Sequence, residues 1–315
     1  MVRLSTPSGI RLESADSLDV TIGGAESNVA VALARLGRSV AWTSALPGNA
    51  LGRRIAREIA MHGVDVSSVL WDDDARAGVY FMDTGSMPRP TRVVYDRAGS
   101  ALARIDPDLL DTTLVRSARA LHLTGITPAL SDGAAACCAW LADAAQAAGV
   151  PITLDVNYRS RLWSAEAARV GLASLLAGVT VMFCGIEDAA TVWGLTGEPA
   201  DVARALLRQS AAETVVVTAG SRGAVAVTRD APDGAVHQAA SAVEAVDPVG
   251  AGDAFAAGFL HCWLDDRDDL ASALRSGVAL ASLKMTISGD FALVTADELT
   301  EAIALLDGAA REIDR

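Results

Sequence analysis

Residues 247–260 are the segment whose residue types best fit a chemical role, with the sequence Asp-Pro-Val-Gly-Ala-Gly-Asp followed by a small apolar run. In a glycine-rich turn such as Gly250-Ala251-Gly252, successive backbone N–H groups can point into one concavity. A helix after it adds unpaired N–H groups and the positive end of its dipole, so the turn suits an anion such as phosphate. Asp253, at the helix start, is placed to accept a proton from a substrate hydroxyl, as phosphoryl transfer to an alcohol requires. The alternative is a glycine-rich turn in which Asp253 is an ordinary helix N-cap.

Other segments place polar groups where a ligand could bind. Residues 23–28 lead from a strand into a helix through two glycines, which let a ligand approach the backbone closely. Tyr95 and Arg97 alternate in an extended segment and therefore share a face. Arg159 follows a strand at its carboxyl end, where open α/β sheets bind ligands and where arginine can pair with a carboxylate or phosphate. A solvated surface arginine is the alternative for either position. Residues 217–223 form a second glycine-rich turn that could lie under a nucleotide or simply close a hairpin.

Composition limits the classes of function. The chain has 315 residues, is 51% hydrophobic and 21% charged, and carries a net charge of −13. This suits one large α/β domain, and it argues against a nucleic-acid or anionic-membrane partner. No apolar run reaches transmembrane length and the start does not resemble a signal peptide, so we expect a cytoplasmic protein. The four cysteines and four histidines show no ligand spacing, which argues against a transition-metal site built by the protein.

Short apolar runs rich in β-branched residues alternate with longer helical patterns, which is typical of a parallel sheet covered by helices. The predicted strands are 40–46, 120–124, 152–156, 179–184, 214–218 and 224–228. Helices are predicted for residues 29–36, 50–62, 134–148, 164–177, 199–211, 268–285 and 296–311. Two regions, about 10–24 and 77–97, instead contain alternating residues and predict antiparallel strands of a small separate sheet within a single domain, 1–315.

Together, residues 23–37, 217–223 and 247–258 resemble the ribokinase-like (PfkB) family of sugar kinases over nearly the whole chain. Three segments resemble the 2-keto-3-deoxygluconate kinases within it: residues 95–101, residues 121–131, and residues 154–159 with the following Leu162-Trp163. The resemblance implies a central parallel sheet flanked by helices, with a small β-sheet lid over the sugar and homo-oligomer formation through that lid.

The resemblance also implies roles for particular residues. Asp253 would be the catalytic base and Gly250, Ala251 and Gly252 the anion hole. The sugar acid would be surrounded by Gly24, Asn28, Tyr80, Tyr95, Arg97, Arg159 and Asp290. The nucleotide would lie on Thr218, Gly220, Ser221 and Gly223.

The chain departs from the family pattern in two places. An Asn-x-x-Glu element that organises Mg²⁺ reads Gly185-Ile-Glu-Asp188 here, so Asp188 can still supply a carboxylate although the amide is gone. The family also has a first strand ending in Gly-Glu or Gly-Asp before the segment that matches residues 1–4. We therefore expect the central sheet to lack one strand.

The implied reaction is phosphorylation of the primary hydroxyl of 2-keto-3-deoxygluconate by ATP with Mg²⁺, giving the 6-phosphate. One alternative is a kinase for fructose or another neutral sugar, which two arginines in the pocket argue against. The other is a sugar-acid-binding protein without turnover, which the departures suggest and the complete Gly-x-Gly-Asp motif opposes.

Overall fold

The structure is a computed structural model that describes residues 1–85 and 88–306. Its strands are β1 Val2–Ser5, β2 Asp19–Ile22, β3 Val40–Ala41, β4 Ala45–Pro47, β5 Val64–Asp65, β6 Leu70–Asp72, β7 Val79–Asp83, β8 Arg92–Asp96, β9 Leu121–Thr124, β10 Ile152–Asp155, β11 Val181–Gly185, β12 Thr214–Thr218, β13 Ala224–Thr228 and β14 Ala235–Gln238. Its α-helices are α1 Ala25–Arg35, α2 Ala50–Ala60, α3 Thr113–Ser117, α4 Asp132–Ala148, α5 Ala165–Leu176, α6 Ile186–Trp193, α7 Pro199–Gln209, α8 Ala251–Trp263, α9 Leu270–Met285 and α10 Ala296–Leu306. The last predicted helix is thus described as far as Leu306, and its remainder lies outside the described residues. Within the described part, no helix is long and apolar enough to cross a membrane.

The central sheet has the order β14-β13-β12-β11-β10-β9. Strands β9 to β12 are parallel, as the alternation of strands and helices predicted. Strands β13 and β14 run antiparallel, so the sheet is mixed rather than purely parallel. The reversal occurs at the turn after β12, where Gly223 has φ 84° and a Cβ would lie 2.0 Å from the Gln238 carbonyl oxygen. This turn therefore does close a hairpin.

Helices cover both faces of the central sheet because its strands are apolar on both sides. On one face, Val181 and Phe183 of β11 belong to a core built with α1, α8, α9 and α10. On the other face, Met182 and Cys184 pack with α4, α5, α6 and α7. The alternation of these four consecutive side chains between two cores fixes the register of the sheet.

A separate four-stranded sheet, the small sheet, has the order β2-β1-β7-β8. Strands β2, β7 and β8 lie inside the two segments predicted to be extended. Strand β1 was missed, because four residues with one arginine give too short a pattern to recognise. In the register of this sheet, Arg3 pairs with Tyr80 and Tyr80 with Tyr95, so these side chains form one row on the same face.

The central sheet ends at β9, which pairs only with β10 among the described residues. The strand predicted for residues 40–46 is instead two short strands, β3 and β4, which pair with β5 and β6. One cavity of about 1020 Å³, the central cavity, is lined by β9, by residues 40–47 and by the residues of the site described below. An unpaired β9 edge facing a cavity agrees with the expectation that the central sheet lacks one strand.

Candidate active site

The loop of residues 247–253 reaches the central cavity at the start of α8. Gly250 adopts φ 84° as the residue before the helix, and a Cβ there would lie 2.2 Å from the Asp290 carbonyl oxygen, so only glycine fits. The Ala251 N–H donates to the Pro248 carbonyl at 3.2 Å within the turn. The N–H groups of Gly252 and Asp253 are first-turn donors, which have no acceptor within their own helix. Of the predicted anion-hole residues, Ala251 is therefore the one whose N–H already has an intramolecular acceptor.

The Asp253 carboxylate is buried and held from two sides. The Asn28 side-chain amide donates to Oδ2 at 2.6 Å, and the Asn157 amide approaches Oδ1 at 3.5 Å. Asn28 is itself fixed, because its Oδ1 accepts the N–H of Gly24 at 3.2 Å at the start of α1. Gly24 has φ 157°, a conformation that suits glycine at this helix start. The predicted residues Gly24, Asn28 and Asp253 thus form one connected chain of contacts.

Three carboxylates with raised pKa values, those of Asp155, Asp188 and Asp253, line the central cavity. Burial raises the pKa of Asp253 to about 7, with the Asn28 hydrogen bond opposing the shift and Asp290 adding to it. Burial together with the charges of Asp253 and Asp188 raises the pKa of Asp155 to about 8. Burial also raises the pKa of Asp188, although the N–H of Tyr158 donates to its Oδ2 at 3.1 Å. Such clustering of perturbed groups is typical of a functional site.

Asp290 belongs to a buried ion-pair network. Its Oδ1 accepts a hydrogen bond from Arg3 at 2.7 Å and one from the Tyr80 hydroxyl at 2.6 Å. Arg3 also donates to Asp247 Oδ2 at 2.6 Å, so it bridges the two carboxylates. Gly23 lies against this network, since a Cβ there would lie 2.2 Å from Asp290 Oδ2. Tyr80 and Asp290 both line the central cavity, but their side chains bond each other, and Asp290 also binds Arg3.

Arg97 is buried and stacks on Tyr95, with its guanidinium carbon 4.3 Å from the ring centre. Its Nε and Nη2 are buried and have no hydrogen-bond partner within the described residues. Removal from water lowers the pKa of Arg97, and the nearby Arg159 charge adds to this effect. Arg159 is exposed and also lines the central cavity. A cation with unused donors in a buried setting fits an anionic ligand.

The predicted nucleotide residues divide into two groups. Thr218, at the end of β12, lines the central cavity. Gly220, Ser221 and Gly223 form the hairpin turn beyond it and are not among the residues that line the cavity. Gly220 and Ser221 are exposed, so this turn forms a solvent-facing surface next to Thr218.

A metal site made by side chains alone is absent from residues 1–85 and 88–306, where no three His, Cys, Asp or Glu residues are grouped to hold an ion. Asp188 nevertheless lines the cavity. It belongs to the first turn of α6, and Gly185 is the residue immediately before that helix. Burial is the main cause of the raised pKa values of Asp155 and Asp188, and neighbouring carboxylates add to both shifts. This donor set fits a hard cation such as Mg²⁺ that takes most of its ligands from phosphate and water.

Several residues of the site were missed in the sequence. Arg3, Asn157 and Lys284 were assigned no role, and Asp155 was noted only as part of a segment. Asn157 has φ 41°, which is uncommon for a residue other than glycine, but no sequence pattern shows it. For Lys284 a signal existed, because it is the single lysine among 26 basic residues.

The chain matches the family described as pfkB family carbohydrate kinase over residues 6–295. It therefore belongs to this family and is a carbohydrate kinase with the ribokinase-like fold, which confirms the resemblance read from the sequence.

Its relatives include kinases named for keto-deoxy sugar acids. The chain is 43% identical to a 2-dehydro-3-deoxygalactonokinase of Haloferax volcanii, an alignment covering 100% of this chain and 96% of the relative. It is 33% identical to a 2-dehydro-3-deoxygluconokinase of Thermoproteus tenax, covering 85% and 81%. The crystal structure of a 2-dehydro-3-deoxygluconokinase from Thermotoga maritima is 31% identical and superimposes with a TM-score of 0.90, covering 96% of this chain and 95% of that one.

Proposed function

We propose that this kinase transfers the γ-phosphoryl group of ATP to the primary hydroxyl of a 2-keto-3-deoxy sugar acid. The observation that carries the proposal is Arg97, whose buried Nε and Nη2 lack partners among the described residues beside the cavity that holds Asp253. A sugar carboxylate would occupy those donors, whereas a neutral sugar would leave a desolvated cation without compensation.

In this proposal the small sheet acts as a lid and contributes Tyr80, Tyr95 and Arg97 to the sugar end of the cavity. Arg159 approaches from the central sheet and shares the carboxylate with Arg97. Holding the acid group at this end would orient the primary hydroxyl toward Asp253, and such positioning is a major part of phosphoryl-transfer catalysis.

At the other end, Asp253 would accept the hydroxyl proton as the sugar oxygen bonds to the γ-phosphorus. The bond from that phosphorus to the bridging oxygen breaks, and ADP leaves with the electron pair. The N–H groups of Gly252 and Asp253 would stabilise the charge on the transferred group. Thr218 and the hairpin turn of Gly220, Ser221 and Gly223 would bind the nucleotide. Mg²⁺, when bound to the phosphates, supplies charge neutralisation, and Asp188 would hold its water ligands.

Two epimers fit this substrate class. The resemblance of residues 95–101, 121–131 and 154–159 favours 2-keto-3-deoxygluconate, which is our first candidate. The 43% identity to a kinase named for the galactonate epimer supports that epimer as the second. Fructokinases are also similar to the chain, at 27% to 30% identity, but the unused Arg97 donors argue against a neutral sugar.

A coupled ADP-release assay tests the proposal with four sugars at saturating Mg-ATP: the two keto-deoxy acids, fructose, and the methyl ester of 2-keto-3-deoxygluconate. The ester keeps the hydroxyl and removes the charge. One charge-assisted hydrogen bond contributes about 1.5–3 kcal/mol, so we expect kcat/KM for an acid to exceed that for its ester by roughly tenfold or more. Equal kcat/KM values for fructose and both acids would refute the sugar-acid assignment and leave the kinase assignment intact.

A further inference from the structure

Lys284 is the single lysine of a chain that contains 26 lysine and arginine residues. It lies in the last turn of α9, where a cation is favoured by the helix dipole. Its side chain has 0% relative exposure and is among the largest fully buried side chains of the protein. Lysine is almost never fully buried unless it is paired, so the position calls for an explanation.

The Lys284 ammonium is bound by main-chain carbonyls. Nζ donates to the carbonyl oxygens of Asp247 and Ile287, both at 3.0 Å. Burial lowers the pKa of Lys284, and the carboxylates of Asp247 and Asp290 oppose this shift. Arg3, Asp247, Asp290 and Lys284 thus form a buried cluster with two positive and two negative side chains.

The two carbonyls belong to two segments that meet beneath the site. Asp247 begins the loop that leads to Gly250 and Asp253, and its carboxylate also accepts the N–H groups of Val249 and Gly289, both at 3.1 Å. Ile287 begins the segment that leads to Asp290. Because Gly250 packs directly on the Asp290 backbone, a displacement of either segment would move the anion-binding N–H groups.

The geometry assigns to Lys284 the role of a built-in monovalent cation that positions the anion-hole loop. An ammonium is a compact point charge that carbonyl oxygens can surround, whereas a guanidinium is a planar fork that does not fit such a site. This difference explains why a lysine stands here in a chain whose other Lys and Arg positions are all arginine. We expect the kinase to need no free K⁺ or NH₄⁺. The inference rests on the kinase activity, and it holds whichever sugar acid is the substrate.

The wild-type enzyme gives the first test, with the best substrate of the panel above. At constant ionic strength, kcat in K⁺, NH₄⁺, Na⁺ and tetramethylammonium should agree within about twofold, since no transition-state interaction depends on the added cation. Activation by K⁺ or NH₄⁺ of more than about threefold would overturn the inference.

Labelling with ¹⁵N-lysine gives an NMR probe of this residue alone, and one ammonium resonance that exchanges slowly with water is expected. A resonance with the rapid exchange of a solvated lysine would contradict it.

Variants give the second test. In Lys284→Met, kcat should fall about 100-fold, because a small misplacement of catalytic groups can have an effect of that size. The KM values should change by less than about threefold, since the substrate contacts remain. In Lys284→Ala, NH₄⁺ or K⁺ should restore kcat by about tenfold, while tetramethylammonium, which is too large for the vacated space, should not. Lys284→Arg should be as inactive as Lys284→Met.

A folded Lys284→Met enzyme with unchanged kcat, or a Lys284→Ala enzyme without cation rescue, would refute the inference. Should the variants not fold, the wild-type cation series and the ¹⁵N resonance decide.

Discussion

The Asn28 amide donates a 2.6 Å hydrogen bond to Asp253 Oδ2 and so fixes the carboxylate at the start of α8. This bond stabilises the charged form of Asp253, and it opposes the burial that raises the pKa of Asp253 to about 7. Asp253 is therefore poised to gain and lose a proton near neutral pH, where a general base is most effective.

We predict that Asp253→Asn lowers kcat by about 10²–10⁴-fold, because the substitution keeps the size of the side chain and removes the proton acceptor. Sugar binding, measured by calorimetry, should persist. In the wild type, kcat/KM should rise as the pH passes through about 7, since the unprotonated form of Asp253 is the active one. In Asn28→Ala this rise should move to higher pH, because the bond that favours the charged form is lost. An Asp253→Asn enzyme with more than about half of the wild-type kcat would rule out Asp253 as the general base.

Arg97→Ala should raise KM for the sugar acid by roughly tenfold to a hundredfold, the value of one charge-assisted hydrogen bond. Arg97→Lys should recover only part of the loss, because an ammonium cannot reproduce the bidentate fork or the stacking on Tyr95. Arg159→Ala should show a smaller effect, since Arg159 is more exposed. Arg161→Ala is the matched control, because Arg161 lies two residues away and lines a neighbouring groove instead. Steady-state kinetics that show equal KM values for all four variants would contradict the prediction.

Gly185→Asn should lower the free Mg²⁺ concentration required for half-maximal kcat/KM. A Cβ at Gly185 would lie 3.7 Å from Asp188 Oδ2 and 4.0 Å from Thr218 Oγ1, so an amide fits beside the carboxylate. The control is Gly194→Asn at the other end of α6, where the backbone is left-handed and space is open. Mg²⁺ titrations that overlay for the wild type and both variants would show that position 185 has no part in metal binding.

The thermal stability of the ligand-free protein should fall between about pH 4 and pH 8. Asp155 has a pKa of about 8 in the folded chain against an ordinary value of 3.8, so the folded state holds its proton more tightly. The stability that protonated Asp155 contributes is fully present below the unfolded-state pKa of 3.8. It is lost as the pH rises through the folded-state pKa of about 8. In Asp155→Asn the fall in Tm should be shallower, while Asp143→Asn on the exposed face of α4 should keep the wild-type slope. Equal slopes for all three proteins would exclude Asp155 as the titrating group.

We propose that the small sheet also mediates self-association. In the register of this sheet, Val20, Leu4, Phe81 and Val94 form a row, with Val94 exposed and the others partly exposed. Val94→Glu should shift the protein toward monomer in sedimentation velocity, because a charge would be buried without a partner in the interface. Val170→Glu, at an exposed position of α5, is the control and should leave the sedimentation profile unchanged. A monomeric wild type would disprove the proposal.

Much of the fold was predictable because its evidence is local. The apolar runs that became β9 to β12 and the motif around Asp253 are continuous in the chain. The hairpin of β13 and β14 was only partly predicted, because residues 235–238 are partly polar and lie on one edge of the sheet. The charge network was missed for a different reason. The partners of Arg3 lie 244 and 287 residues away, and no local pattern couples positions so distant.

The same separation has a consequence for how the protein is made. The Arg3–Asp290 pair joins β1 to a segment that is synthesised 287 residues later. Contacts of such long range form slowly, because a very large loop must close before they are made. The parallel strands β9 to β12 can assemble on the ribosome while Arg3 still lacks both carboxylates. Catalytic competence should therefore appear only after residues 247–290 have emerged from the ribosome, well after strands β9 to β12 have formed.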